Sequence, residues 1–303
     1  MTAHLDLDLS VSWQKVHATR EDLQLVRLSV LQAARGLSAL ALGVDPRRPS
    51  LGTPAEEWLE SDANWTTSEG STHVANVLGG IRTVCLAAAD HMEVLEDSVQ
   101  RGRATVTVWT LTRSVLESLG RVNYLLDGEN VRELLSRHVA LIRGEMKYAK
   151  HSTHIIRKVG LLDVDGYVAD LEAMVQEVGG SKVRSPSYTE LATNLLEAAA
   201  PDNGSRTRYS QLSGVAHGEL SALQMFLTTE GFVLPRNLLV EAAAMVSAAC
   251  VLVGDKLRDV TTSSESREAA RWTAARDRAI VAALALQPWA EPEPEDDGAA
   301  AES

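Results

Sequence analysis

A chain of 303 residues with 45% apolar side chains can bury a sizeable core, which excludes an intrinsically disordered protein. Aromatics make up only 4%, phenylalanine occurs twice, and alanine, leucine and valine dominate, so close-packed helices fit better than a sandwich or a barrel. The formal net charge of −12, from 41 acidic and 29 basic residues, sets the overall field against a phosphate backbone, and a nucleic-acid partner would need a local basic patch.

Cys85 and Cys250 both sit in apolar helical runs, where a thiol behaves as a small hydrophobe. They make neither a disulfide framework nor a metal spacing, and no metal or cofactor is expected. The first residues include acids and lack a basic n-region and an apolar h-region, so no signal peptide is expected. No stretch approaches the roughly 18 uninterrupted apolar residues of a membrane span. The expectation is a soluble cytoplasmic protein of a bacterium, and the Ala, Arg and Val usage suggests a high-GC genome.

In chain order, Leu5, Leu7, Leu9, Val11 and Trp13 alternate with Asp6, Asp8, Ser10 and Ser12, a period of two that predicts an extended arm. With no sheet to join, such an arm suits the embrace of a second subunit, hence a homodimer. Over 21–42 the residues Leu23, Val26, Val30, Leu37 and Leu40 trace a helical face that Gly43 ends. Residues 1–42 are thus read as an arm with an accessory helix. Residues 43–71, rich in Pro, Gly, Ser and Thr, read as a linker or lid with a short helix at 55–60 after Pro54.

A bundle is predicted over 72–287. Its helices span 72–100, with His91 on the apolar face, then 105–126, with Arg113 and Glu117 beside the seam, and 130–159, with His138 and Glu145 on one side. Shorter helices follow at 164–178 and 188–199, then one at 206–228, and last 237–259 and 266–286. Residues 288–303, with Pro292, Pro294 and an acidic run, read as a disordered tail. The fold class is all-α, a single bundle of about eight or nine helices.

The stretch 206–228 organises this reading. Its apolar side carries Leu212, Ala216, Leu220, Leu223 and Leu227, and Tyr209, Ser213 and His217 fall at i, i+4 and i+8 beside that seam. Buried there, all three need partners, because an unpaired buried donor or acceptor costs on the order of 1–3 kcal/mol. The expected partners are Arg113 or Glu117 across a helix contact, with His91 a further candidate from another long helix.

The segment Tyr209-x-x-Leu212-Ser213-x-x-x-His217-Gly218, together with Arg113, Glu117 and Tyr124-Leu125, resembles uncharacterised all-helical bacterial families associated with the HEPN superfamily. The resemblance covers about 105–227. It implies a helical bundle, and some HEPN members are metal-independent ribonucleases with an Arg-x4–6-His motif in toxin or phage-defence settings. Here only Arg132 and His138 fit that spacing. Roughly one or two matches are expected by chance among eight histidines, and a separation of six turns the two side chains about 240° apart on a helix.

Other chemistries fare worse. No Glu-x-x-His supports a di-iron bundle, and His151 and His154 sit among Lys147, Lys150, Arg157 and Lys158, which repel a cation. There is no P-loop and no Gly-x-Gly-x-x-Gly after a strand. Ser213 with His217 one turn away suits a network better than a nucleophile and its base. The leading expectation is a binding protein with an internal polar pocket for a small molecule or a protein partner. In it His217 and Tyr209 recognise, Ser213 orients, and Arg113 and Glu117 supply charge; a ribonuclease or a biosynthetic small-molecule enzyme are the alternatives.

Overall fold

The computed structural model describes residues 18–286 apart from 64–72, 102–105, 150–168, 171, 174, 177–179, 181, 201–203, 225–226, 229–230 and 233–234. The arm at 5–13, His151, His154 and the acidic tail lie outside them. Ten helices are described: α1 Arg20–Gly43, α2 Pro54–Ala63, α3 His73–Gln100, α4 Val106–Leu126, α5 Val131–Ala149, α6 Tyr188–Ala199, α7 Ser205–Ala216, α8 Leu220–Gln224, α9 Arg236–Thr261 and α10 Arg267–Ala285. The fold is all-α, and the extended backbone among the described residues is an antiparallel pair of two-residue strands, β1 Leu227–Thr228 and β2 Gly231–Phe232.

The helix over 21–42 is not peripheral. Val26, Val30, Ala33, Ala34, Leu37 and Leu40 are all fully buried, and α1 packs against α3, α9 and α10. It starts with a capping box in which Thr19 and Asp22 satisfy each other's backbone amides. Asp22 then takes a second partner: Arg236, the first residue of α9, donates to its two oxygens at 2.6 and 2.8 Å. Further along, the Ser29 and Ser247 hydroxyls meet at 2.6 Å and the Cys250 thiol approaches the Ala33 carbonyl. The order of these contacts makes α1 and α9 parallel. Arg27 with Glu96, and Arg82 with the Val44 carbonyl, make α1 and α3 antiparallel.

By length and composition α1 and α9 are both apolar enough to cross a membrane, a property that a search for uninterrupted apolar runs misses. In this fold each turns half or more of its most apolar window into the protein interior.

Small residues let these helices close on Trp272 of α10, which is fully buried. A Cβ at Gly254 of α9 would lie 2.1 Å from the indole, and one at Gly36 of α1 would lie 3.0 Å from its other edge and 2.7 Å from Ala275. The indole N–H donates to Asp255 at 2.8 Å, which satisfies its one polar atom. Asp255 is held in turn by Arg258 and Arg276.

The long helix expected at 206–228 is broken. Gly218 takes a left-handed conformation, φ 72°, and α7 ends at Ala216 with His217 as its C-cap. As a result Leu220 is 73% exposed rather than on the apolar seam. The chain re-forms a single turn, α8, and then the β1–β2 pair. Gly218 and the next amide satisfy the carbonyls of Val215 and Gly214, so the interruption leaves these backbone groups paired.

Two outcomes follow. Gly254→Ala should lower stability by about 1–3 kcal/mol, the usual cost of overpacking a filled core, whereas Gly80→Ala, at an exposed helical site with nothing within 4 Å of the new methyl, should raise it by about 0.5–1 kcal/mol; urea unfolding of both variants checks the contrast. The second concerns acid. The Arg236 guanidinium, aided by the Thr19 bonds, holds the Asp22 carboxyl down at about 2 against its ordinary 3.8. Folding therefore favours the charged form, and this contribution is present above pH ~4 and lost as pH falls through about 2. The stability difference between the wild type and Asp22→Asn should shrink across that window.

Candidate functional site

Helix α4 is amphipathic, with Trp109, Val115, Leu116 and Leu119 turned fully inward. Residues Arg113, Glu117 and Arg121, spaced by four, form the edge of that seam on one helical face. Opposite this edge lies α7, whose Tyr209, Leu212 and Val215 are buried. Gly120 lets α6 come close to α4, since a Cβ there would lie 2.7 Å from the Leu191 carbonyl oxygen.

Four of the expected residues meet. Arg113 Nε donates to Glu117 Oε1 at 2.7 Å, and the Tyr209 hydroxyl donates to the same oxygen at 2.6 Å. Arg113 Nη1 lies 3.1 Å from His217 Nε2, and its guanidinium carbon is 6.0 Å from the Tyr209 ring centroid. A guanidinium can only donate, so Nε2 accepts and the imidazole proton sits on Nδ1. The result is a continuous chain of hydrogen bonds: a buried phenol, a carboxylate, a guanidinium and an imidazole.

Electrostatics follows from burial along this chain. Desolvation, reinforced by the neighbouring Glu117 carboxylate, pushes the Tyr209 phenol up to about 12, so it stays a donor. Burial works against the Arg113 charge, but Glu117 and Tyr209 more than offset it and the guanidinium is raised. The pair of charges is half-shielded, with the Arg113 and Glu117 side chains 19% and 22% exposed.

One part of the expectation is corrected. Tyr209 is buried, Ser213 is half-buried and His217 is exposed, so the set opens at the surface instead of lining an internal pocket. The reason is the helix end: once α7 stops at Ala216, His217 caps it and leaves the buried phase that Tyr209 occupies. Among the described residues the Ser213 side chain takes no part in the bonds that join Arg113, Glu117, Tyr209 and His217; only its backbone carbonyl meets the set, accepting from the His217 amide.

The remaining candidates stand apart. Among the described residues no hydrogen bond joins His91, on α3, to the four, and its buried Nδ1 has no partner there. Arg132 is exposed, whereas His138 turns inward, its buried Nε2 without a partner among the described residues. The two therefore share no face. Burial of the ring, with the nearby His73, drops His138 to about 4, so this half-buried histidine is neutral at neutral pH. Glu145 pairs with Arg121 rather than with His138. Among the described residues no group of three or more His, Cys, Asp or Glu side chains is placed to hold a metal ion.

Several polar residues escaped the sequence reading. Arg121, one turn beyond Glu117, pairs with Glu145 and lies 5.8 Å from the Tyr188 ring centroid. Arg137 sits over Tyr124 at 5.1 Å and donates to its carbonyl at 2.7 Å, while the buried Tyr124 hydroxyl has no hydrogen-bond partner among the described residues. Arg208 pairs with Glu241 and fastens α7 to α9. The i, i+4 repeat of Arg113, Glu117 and Arg121 was the available signal for the first of these.

No family model matches this chain, and neither does any curated protein or solved structure.

Tyr209→Phe removes the hydroxyl that donates to a charged acceptor and should cost about 1.5–3 kcal/mol in chemical denaturation. In Glu117→Gln the same phenylalanine change should cost less, because the acceptor is then neutral. Equal losses in both backgrounds would show that the two side chains are not coupled.

Proposed function

We propose that the chain is a binding protein whose Arg113–Glu117–Tyr209–His217 set receives a small molecule bearing a carboxylate or a phosphate. The observation that carries this reading is the bond between Arg113 and the exposed His217. It makes a guanidinium and an Nδ1–H donor neighbours at the protein surface, while Glu117 and the buried Tyr209 fix the arginine from behind. Paired donors held in advance suit an anionic acceptor, since less side-chain freedom is lost on binding. A protein side-chain carboxylate has the same chemistry, so a protein partner is the form this site would take in a larger assembly. The setting that goes with this reading is the bacterial cytoplasm.

The ribonuclease reading gains nothing from the geometry, because Arg132 and His138 lie on different faces.

The test is calorimetry with acetate, succinate and inorganic phosphate. At least one should bind saturably to the wild type, with affinity falling about tenfold or more in Arg113→Gln, as expected when a charge-assisted bond is lost. His217→Ala should weaken the same ligand. Binding that is unchanged in both variants, or absent for all three anions, would overturn the assignment. Metal-free RNA cleavage abolished by both Arg132→Ala and His138→Ala would replace it with the ribonuclease.

A further inference from the structure

We infer that the outer face of α10 is a docking surface for a second copy of this chain, with the two α10 helices antiparallel about Asp277. The helix is apolar on two opposite sides. One side is filled: Ala269, Trp272, Ala275, Ala279 and Ala282 are buried, Trp272 against Gly254 of α9 and Ala275 against Gly36 of α1. The other side carries Ala270, Ala274, Asp277, Val281 and Leu284, all exposed, with Val281 at 68% and Leu284 at 63%. At 100° per residue these five fall within about 40° of one line, and that line lies about 180° from the buried side, so it points away from both α1 and α9.

The outer residues alternate steps of four and three along the chain, the heptad spacing of a seam between two helices. One apolar stripe is enough to hold a surface helix on its core. The buried side of α10 already supplies it, and the second stripe stays open to solvent. From Ala270 to Leu284 it runs about 21 Å at 1.5 Å per residue. A helix pair of that length buries less than the ~1,600 Å² of a standard stable interface, so the dimer forms only at high protein concentration.

A second copy fits this stripe in size and in charge. Turned antiparallel about Asp277, it sets Ala270 against the partner's Leu284 and Ala274 against the partner's Val281, so each large side chain meets a small one. Facing positions that alternate large and small interdigitate, whereas a parallel pair sets leucine against leucine and alanine against alanine. The charges agree with the same register. Arg278, next to Asp277, is exposed and makes no ion pair among the described residues, spending one donor on the Ala274 carbonyl. In the antiparallel pair it lies beside the partner's Asp277, within reach of its long side chain. Arg276 holds Asp277 from within the chain, at 2.9 and 3.0 Å, so each carboxylate at the centre of the seam has a cation on either side. A polar residue at one seam position also fixes the register.

The experiment is sedimentation equilibrium of the full chain from low micromolar to near-millimolar protein. The wild type should pass from monomer to dimer over that range, and the double variant Val281→Glu with Leu284→Glu should stay monomeric. Both positions are exposed, so this variant should keep the wild-type circular dichroism. Orientation is read with a short bismaleimide, for which the two native cysteines are fully buried and do not compete. Ala270→Cys and Leu284→Cys proteins should give no covalent dimer separately, because like positions lie about 21 Å apart along the seam, and should give one when mixed. Covalent dimer from either variant alone, in the yield of the mixture, would overturn the antiparallel register. A wild type that stays monomeric throughout, or a double variant that dimerises equally well, would overturn the surface itself.

Discussion

A single indole decides how closely the central helices approach. Trp272 fills the space where α1, α9 and α10 meet, and Gly36 and Gly254 stand where any side chain would collide with it. Dense interiors tolerate no such overlap, so the two glycines and the tryptophan form one steric unit rather than three separate choices. Asp255 satisfies the indole N–H and two arginines satisfy Asp255, so the polar edge of this unit is also closed. The parallel pairing of α1 with α9 then follows, marked by Asp22 with Arg236 at one end and the Ser29 and Ser247 hydroxyls farther in.

The polar set on α4 depends on this frame through α9. Lys256 of α9 bonds Asn123 and pairs with Asp127 at the end of α4, and Arg208 of α7 pairs with Glu241 of α9. Both helices that carry the site are thus tied to the same third helix. That arrangement fixes the separation between Glu117 and Tyr209, and a hydrogen bond to a carboxylate is worth its full strength only when the geometry is held by something else. Arg113 with Glu117 on an isolated helix would contribute only about 0.2–0.5 kcal/mol. Its importance comes from the neighbours, because Tyr209 cannot lose its acceptor without leaving a buried hydroxyl unpaired.

Other buried polar atoms mark where the fold leaves demand unmet. His91 Nδ1, His138 Nε2 and the Tyr124 hydroxyl all lack partners among the described residues. For His138 the consequence has a definite sign. With the folded value dropped to about 4 from 6.5, neutrality stabilises the fold fully above pH 6.5, and that contribution is lost as pH falls towards about 4. Its burial is also why a motif spacing shared with Arg132 places the two on different faces: one arm of the pair points into the core and the other into solvent.

The sequence by itself determined the all-α class, the positions of most helices and the identity of the polar set. Those features are carried by local periodicity: the 3.6-residue repeats of α1, α3, α4, α9 and α10, the i, i+4 spacing of Arg113 with Glu117 and the i, i+8 spacing of Tyr209 with His217. What only the tertiary structure decided concerns termination and approach. Apolar residues continue at helical spacing through Leu220, Leu223 and Leu227, so periodicity extends the organising helix, while the left-handed Gly218 ends it and carries His217 to the surface. Periodicity likewise assigns α1 to the edge, because an amphipathic stripe does not say how many neighbours it meets. Only the fit of Trp272 against two glycines far apart in the chain places that helix at the centre, since close packing is a property of surfaces brought together and not of any one segment.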